Sequence, residues 1–186
     1  MTWALVGLGN PGSKYEGTRH NVGEMVIRGL VASNRARLKP SRKARCQVAD
    51  WRLADHRVIG ALPDSYMNES GGPVSSLLNF ESVSPEQLVV VHDEIDLPFG
   101  ALRVKYGGGD NGHNGLRSIR KSLGTGDWYR VRVGVGRGRS ETIGHVLSRF
   151  SAAERKELDD LIMVAGQACE SLVVEGLAIT QNRFNS

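Results

Sequence analysis

The sequence predicts an α/β fold: a single three-layer domain spanning residues 1–186, with helices flanking a mixed β-sheet. Three observations carry this reading. Short apolar runs rich in Val, Ile and Leu alternate along the chain with segments of helical periodicity. No repeat, composition break or low-complexity linker marks a second domain, and 186 residues fit one. Apolar residues make up 40 % and charged residues 24 %, the balance of a soluble protein able to bury a core.

The elements follow in order. Thr2 to Leu8 reads as a buried strand, stopped by Gly7-Leu8-Gly9-Asn10-Pro11-Gly12, a dense turn signal. Asn21 to Ala32 places Val22, Met25, Val26 and Leu30 at helical spacing. Residues 33–43 are polar and basic with Pro40, which predicts a loop. Cys46–Leu53 and Arg57–Leu62 read as two strands joined by a turn at Ala54-Asp55-His56. Asn68 is placed to cap a helix carrying Val74, Leu77, Leu78 and Phe80. Leu88 to Val91 is a β-branched run ending at His92-Asp93, and Leu102 to Tyr106 is a further strand. The glycine-rich stretch Gly107 to Gly112 feeds a short helix at Asn114–Leu123. Tyr129 to Val135 alternates, with Arg130 and Arg132 on one face. Ser151 and Glu154 form a capping box that opens a long helix through Leu172.

Net charge is +4, but its distribution is lopsided. Residues 28–57 hold nine Lys/Arg against Asp50 and Asp55, and residues 102–139 hold nine against Asp110 and Asp127. Residues 58–101 hold seven acids and no Lys or Arg. Two basic segments in a nearly neutral chain point to a polyanion-binding face, against the plainer reading of scattered solvated charge. No run approaches the roughly 20 apolar residues of a membrane span, and no charged leader with a cleavage site opens the sequence. Cys46 and Cys169 have neither metal spacing nor a paired motif. A cytoplasmic protein with no membrane partner is expected.

Gly7-x-Gly9-x-x-Gly12 after a strand matches a dinucleotide-binding fingerprint, but its context disagrees. Polar residues Ser13 to Arg19 follow instead of an apolar helix, and no acidic strand end appears about 20 residues on. A nicotinamide or flavin cofactor is not expected. There is no Gly-x-Ser-x-Gly elbow and no helical His pair for a metal. What remains is a set of His, Asp and Asn at loop positions. His20 sits where a loop becomes a helix, and Asp93 ends a strand, where a carboxylate can fix an imidazole tautomer and leave the other nitrogen to deprotonate water. Asn10, Asn68 and Asn114 offer uncharged donors and acceptors suited to peptide amides and an oxyanion. Each Asn taken alone also reads as a cap or turn residue.

A series of spaced motifs runs along nearly the whole chain. It opens with Gly7-Leu8-Gly9-Asn10-Pro11-Gly12 and Tyr15-x-x-Thr18-Arg19-His20-Asn21-x-Gly23, then Tyr66-Met67-Asn68-x-Ser70-Gly71, then His92-Asp93-Glu94-Ile95-Asp96-Leu97-Pro98-x-Gly100. Lys105-x-Gly107-Gly108-Gly109, Gly112-His113-Asn114-Gly115-Leu116 and Arg130-Val131-Arg132-Val133-Gly134-Val135-Gly136 complete it. In this order the motifs resemble those of bacterial peptidyl-tRNA hydrolases. The resemblance implies a twisted mixed sheet, a monomer without an obligate protein partner, and no metal or organic cofactor. It implies hydrolysis of the ester between a peptide and the 3′ end of tRNA, with His20 as base and Asp93 orienting it. Asn10, Tyr15, Met67, Asn68, His113 and Asn114 would bind substrate, and Lys105 with Arg132 would hold the 5′ phosphate of the acceptor stem. The rival is a non-catalytic RNA-binding factor on the same fold. The sequence departs from the family pattern at Arg28, Ser65 and Asp110-Asn111, and in a short loop after Gly136.

Overall fold

In the computed structural model, which describes residues 1–139 and 141–185, seven strands form one sheet in the order β2-β3-β4-β1-β5-β7-β6. The strands are β1 (Thr2–Gly7), β2 (Lys39–Ser41), β3 (Cys46–Leu53), β4 (His56–Pro63), β5 (Leu88–Glu94), β6 (Leu102–Tyr106) and β7 (Tyr129–Gly134). The helices are α1 (Val22–Ser33), α2 (Gly71–Glu81), α3 (Asn114–Leu123), α4 (Thr142–Val146), α5 (Ala152–Glu175) and α6 (Leu177–Phe184). The inner strands β4, β1, β5 and β7 run parallel, and antiparallel strands complete both edges.

Side-chain alternation sorts the core into two layers. Trp3 and Leu5 of β1 pack with Val22 and Val26 of α1 and Leu161 and Ala165 of α5. Ala4 and Val6 point the other way, to Val74 and Leu77 of α2 and Leu116 and Ile119 of α3. Every residue of β5 is buried, which is why that run reads as continuously apolar rather than alternating. The capping box forms as the sequence indicates: Ser151 Oγ accepts the Glu154 N–H, and Glu154 accepts the Ser151 N–H.

Three features depart from the sequence reading. Residues 33–43 are not all loop, because Lys39–Ser41 pairs with Cys46–Val48 as the edge strand β2. Its Pro40 is tolerated at an edge, where one row of N–H groups faces no partner. Asn68 does not cap α2: it lies in a 3₁₀ turn, Met67–Glu69, and the N-cap is Ser70, whose hydroxyl bonds back to the Met67 carbonyl. The short helices α4 and α6 have no counterpart in the sequence reading: at five and eight residues each is too brief to show a helical apolar period.

The glycines explain the false fingerprint. A Cβ on Gly7 would stand 2.3 Å from the Gly23 carbonyl oxygen, and one on Gly23 would stand 2.1 Å from that of Val91. The motif serves the close approach of α1 to β1 and β5, with no dinucleotide needed to account for it.

Candidate active site

The cleft opens beyond the carboxyl ends of β4, β1 and β5, where α/β folds hold their ligands. Its cavity of about 630 Å³ is lined by Asn10, His20, Met67, Asn68, Asp93, His113 and Asn114, and on its outer wall by Ile143 and Val146 of α4 and the adjoining Leu147. Seven residues from four separate segments of the chain thus meet. Tyr15 does not join them: it is half-buried and meets Tyr66 edge-on with ring centroids 6.2 Å apart, outside the cavity lining.

Asp93 is the hub. It is 3 % exposed, and its two oxygens bridge two imidazoles, Oδ2 to His20 Nδ1 at 2.8 Å and Oδ1 to His113 Nε2 at 2.7 Å. Burial pushes the carboxyl up, but His113 and then His20 outweigh it and hold the group well below the usual carboxylate range. Asp93 is therefore an anion that only accepts, and both rings donate to it.

The partners fix both tautomers. His113 Nδ1 accepts the N–H groups of Gly115 and Leu116, at 3.1 and 3.3 Å, and so caps α3. Its proton is then on Nε2, facing Asp93. His20 gives its Nδ1–H to Asp93, which leaves Nε2 as the basic nitrogen, able to take a proton from water. Ligand atoms of His20, Asp93 and His113 lie within 4.8 Å of one another, a grouping able to hold a metal ion. The tautomers oppose that use, since the nitrogens aimed at Asp93 carry protons and the other nitrogen of His113 is taken by the α3 backbone.

Asn10 is fixed with equal economy of movement. Its N–H donates to Asn21 Oδ1 at 2.8 Å, and its carbonyl accepts from Asn21 Nδ2 at 2.9 Å. Its side-chain Oδ1 accepts the Met67 N–H at 2.7 Å, so the amide flip is determined and Nδ2 remains as the donor. Asn68 and Asn114 are exposed on the rim. A Cβ on Gly115 would fall 2.7 Å from Met67 Sδ, so glycine lets α3 close against Met67.

Beside the cleft, a second cavity of about 340 Å³ is lined by His92, Glu94, Lys105, Arg130 and Arg132 among others; His92, Glu94 and Asn111 line both. Arg132 pairs with Glu94 at 3.0 Å. Burial, then the neighbouring Arg132 and Arg130, pushes the Lys105 ammonium below its ordinary range. Arg130 is no surface cation: it is 1 % exposed, lies over Trp128 at 3.8 Å and donates to the carbonyls of Gly108 and Gly126. The glycine-rich loop is pinned by it, and a Cβ on Gly108 would stand 2.8 Å from Lys105 Nζ.

Sequence reasoning overlooked Asn21 and Glu94, which orient Asn10 and Arg132; both stand directly beside residues it singled out. None of the departures noted in the sequence bonds to Asp93 or His20, although Asp110 and Asn111 line the same cleft. Arg28 pairs with Glu24 along α1, and Asn111 donates to Glu94 and Asp96. The thiols are inert core groups: burial, then Asp64, pushes Cys46 up to about 12, and burial raises Cys169 still further from reactivity.

Comparison with known proteins agrees in sequence and in fold. The family model described as peptidyl-tRNA hydrolase matches residues 4–186. The chain is 52 % identical to a peptidyl-tRNA hydrolase of Frankia alni, covering 99 % of this chain and 94 % of that one. It is 53 % identical to one of Pseudarthrobacter chlorophenolicus, covering 99 % and 95 %. The crystal structure of peptidyl-tRNA hydrolase from Acinetobacter baumannii superposes with a TM-score of 0.93 at 35 % identity, covering 100 % of this chain and 95 % of that one.

Proposed function

The chain belongs to the peptidyl-tRNA hydrolase family, and on that premise we propose how its cleft hydrolyses the ester between a peptide and the 3′ end of tRNA. The carrying observation is the Asp93 bridge, which commits one nitrogen of His20 and leaves the other basic.

Water bonded to His20 Nε2 attacks the ester carbonyl carbon as that nitrogen takes its proton. Asp93 stabilises the imidazolium so formed. Negative charge gathers on the carbonyl oxygen, within reach of the Asn10 Nδ2 donor whose flip Met67 fixes. The C–O bond to the ribose then breaks, and His20 returns the proton to the leaving 3′ oxygen. The products are a peptide carboxylate and tRNA with a free 3′ hydroxyl. Asn68 and Asn114 on the rim bond the amides of the peptide, while Met67 packs beside it and His113 braces Asp93. Tyr15 acts from outside the cavity, through its ring contact with Tyr66, which immediately precedes Met67 and Asn68.

Lys105 and Arg132 hold the 5′ phosphate of the acceptor stem, with Glu94 keeping Arg132 in place until the phosphate arrives. Strand order then follows substrate order: phosphate at β6–β7, ester at β5, peptide at β1 and β4. The same reading takes the chain as a cytoplasmic monomer that acts without an obligate protein partner. No helix among the described residues is long and apolar enough to cross a membrane. The rival reading, an RNA-binding factor without hydrolysis, has no support among these relatives.

The test is incubation with an N-blocked aminoacyl-tRNA and the matching unblocked one, with chelator present, following release of free tRNA. Release from the blocked substrate alone is expected. Binding without release would overturn the proposal.

A further inference from the structure

The cleft does not use the first basic segment. Of its nine cations, Arg28 and Arg57 are ion-paired and Arg52 bonds to the Asp55 carbonyl. The remaining six, Arg35, Arg37, Lys39, Arg42, Lys43 and Arg45, are all exposed, and none forms an ion pair with a described carboxylate. They run along the free edge of the sheet: two before β2, one within it, three in the turn into β3. Cys46 stands opposite Pro63, the last residue of β4, so the turn lies at the cleft end and Arg35 toward the other end. Lys43 also lies over the exposed ring of Phe80, 5.7 Å from its centroid. Protecting an edge from mispairing asks only for a proline and a charge on the strand itself. Pro40 and Lys39 supply those, and five cations are left over.

We propose that this stripe is a second RNA-binding surface, which takes the phosphate backbone of a structured RNA other than the tRNA seated in the cleft. The proposal rests on the reading that Lys105 and Arg132 hold the acceptor end. The 3′ strand then runs from β7 toward β5, so the stem leaves on the side away from β2. Six strand steps separate β2 from β6, on the order of 29 Å. Exposed cations spread along an open edge neutralise phosphates without reading sequence, so binding is salt-dependent and sequence-tolerant.

The test uses the full chain and a blunt RNA hairpin with no 5′ phosphate and no single-stranded 3′ end, scored by mobility shift across a salt series. The wild type should bind. The triple variant Lys39→Gln/Arg42→Gln/Lys43→Gln, checked for an unchanged melting temperature, should bind at least about tenfold more weakly, with the log–log salt slope flattened by about 2–3 units. Its kcat and KM for peptidyl-tRNA should match the wild type. Undiminished hairpin binding by the triple variant would overturn the proposal, as would a raised KM for peptidyl-tRNA or tighter binding to anionic lipid vesicles. The variant Lys105→Gln/Arg132→Gln separates the two readings: it should raise KM for peptidyl-tRNA while leaving hairpin binding intact. An unchanged KM there would fault the phosphate clamp, and the hairpin shift would still decide the stripe.

Discussion

Arg19 donates from Nη2 to Glu154 Oε1 at 2.7 Å, and that same carboxylate oxygen accepts the Ser151 N–H at 2.8 Å. The cap of the longest helix is therefore also the anchor of the turn that carries His20. Arg19 is 8 % exposed, and its other terminal nitrogen donates to the Arg149 carbonyl at 2.9 Å and to the Ser148 hydroxyl. Glu154→Gln keeps an oxygen for the Ser151 N–H but loses the charge. Glu154→Ala loses both and leaves a largely buried guanidinium unpaired. Urea denaturation should find a cost of about 1–3 kcal/mol for Ala and distinctly less for Gln. Equal costs would mean that the lost charge accounts for the whole effect and the cap bond adds nothing to it.

The Asp93 bridge predicts a split between rate and binding. Asp93→Asn keeps the size but brings an amide against two N–H donors, so one imidazole must turn or change tautomer. Turnover should fall by roughly 10²–10⁴-fold with KM little changed, as should that of His20→Ala. His113→Ala should cost less in turnover, but also about 1 kcal/mol in stability through the lost α3 cap. A His113 variant as slow as Asp93→Asn would make His113 a direct participant instead of a brace.

These distances show where the sequence was legible. Local signals were: β3, β6 and α3 match their predicted bounds because alternation, periodicity and the Ser151–Glu154 spacing act within a few residues. Identities at loop positions also pointed to His20 and Asp93. The Arg19–Glu154 link was not legible, since 135 positions separate its partners. Nor was the burial of Arg130, which depends on the glycine-rich loop folding back over Trp128. Asn68 reads as a cap because Asn before a helix usually is one; here Ser70 takes that place and frees the amide for the rim.

His92 predicts an acid-side loss of stability. Burial, with His113 beside it, lowers its imidazole from 6.5 to about 3. The unfolded chain then binds the proton more readily than the folded one, so stability is complete above about pH 6.5 and drains as pH falls toward 3. Asp93, also lowered, adds to the loss only below the ordinary carboxylate range. Denaturation midpoints measured from pH 7 to 4 should slope downward in the wild type. They should flatten in His92→Asn, whose amide can still donate to the Asp93 carbonyl as Nδ1 does at 2.8 Å. The same slope in both proteins would remove His92 as the cause.

Asn10 allows its two functions to be separated by one isosteric change. Its Oδ1 accepts the Met67 N–H, and its Nδ2 is the donor left for the ester oxygen. Asn10→Asp preserves the first bond, since a carboxylate oxygen accepts equally well, but replaces the donor with a negative charge where negative charge must develop. Asn10→Ala removes both. The Asp variant should therefore fold with near wild-type stability and lose roughly 10²–10³-fold in kcat, the usual cost of an oxyanion donor. The Ala variant should also lose about 1–3 kcal/mol, because the buried Met67 N–H has no partner. Near wild-type turnover by Asn10→Asp would place the oxyanion donor elsewhere, with Asn68 and Asn114 the next two to substitute.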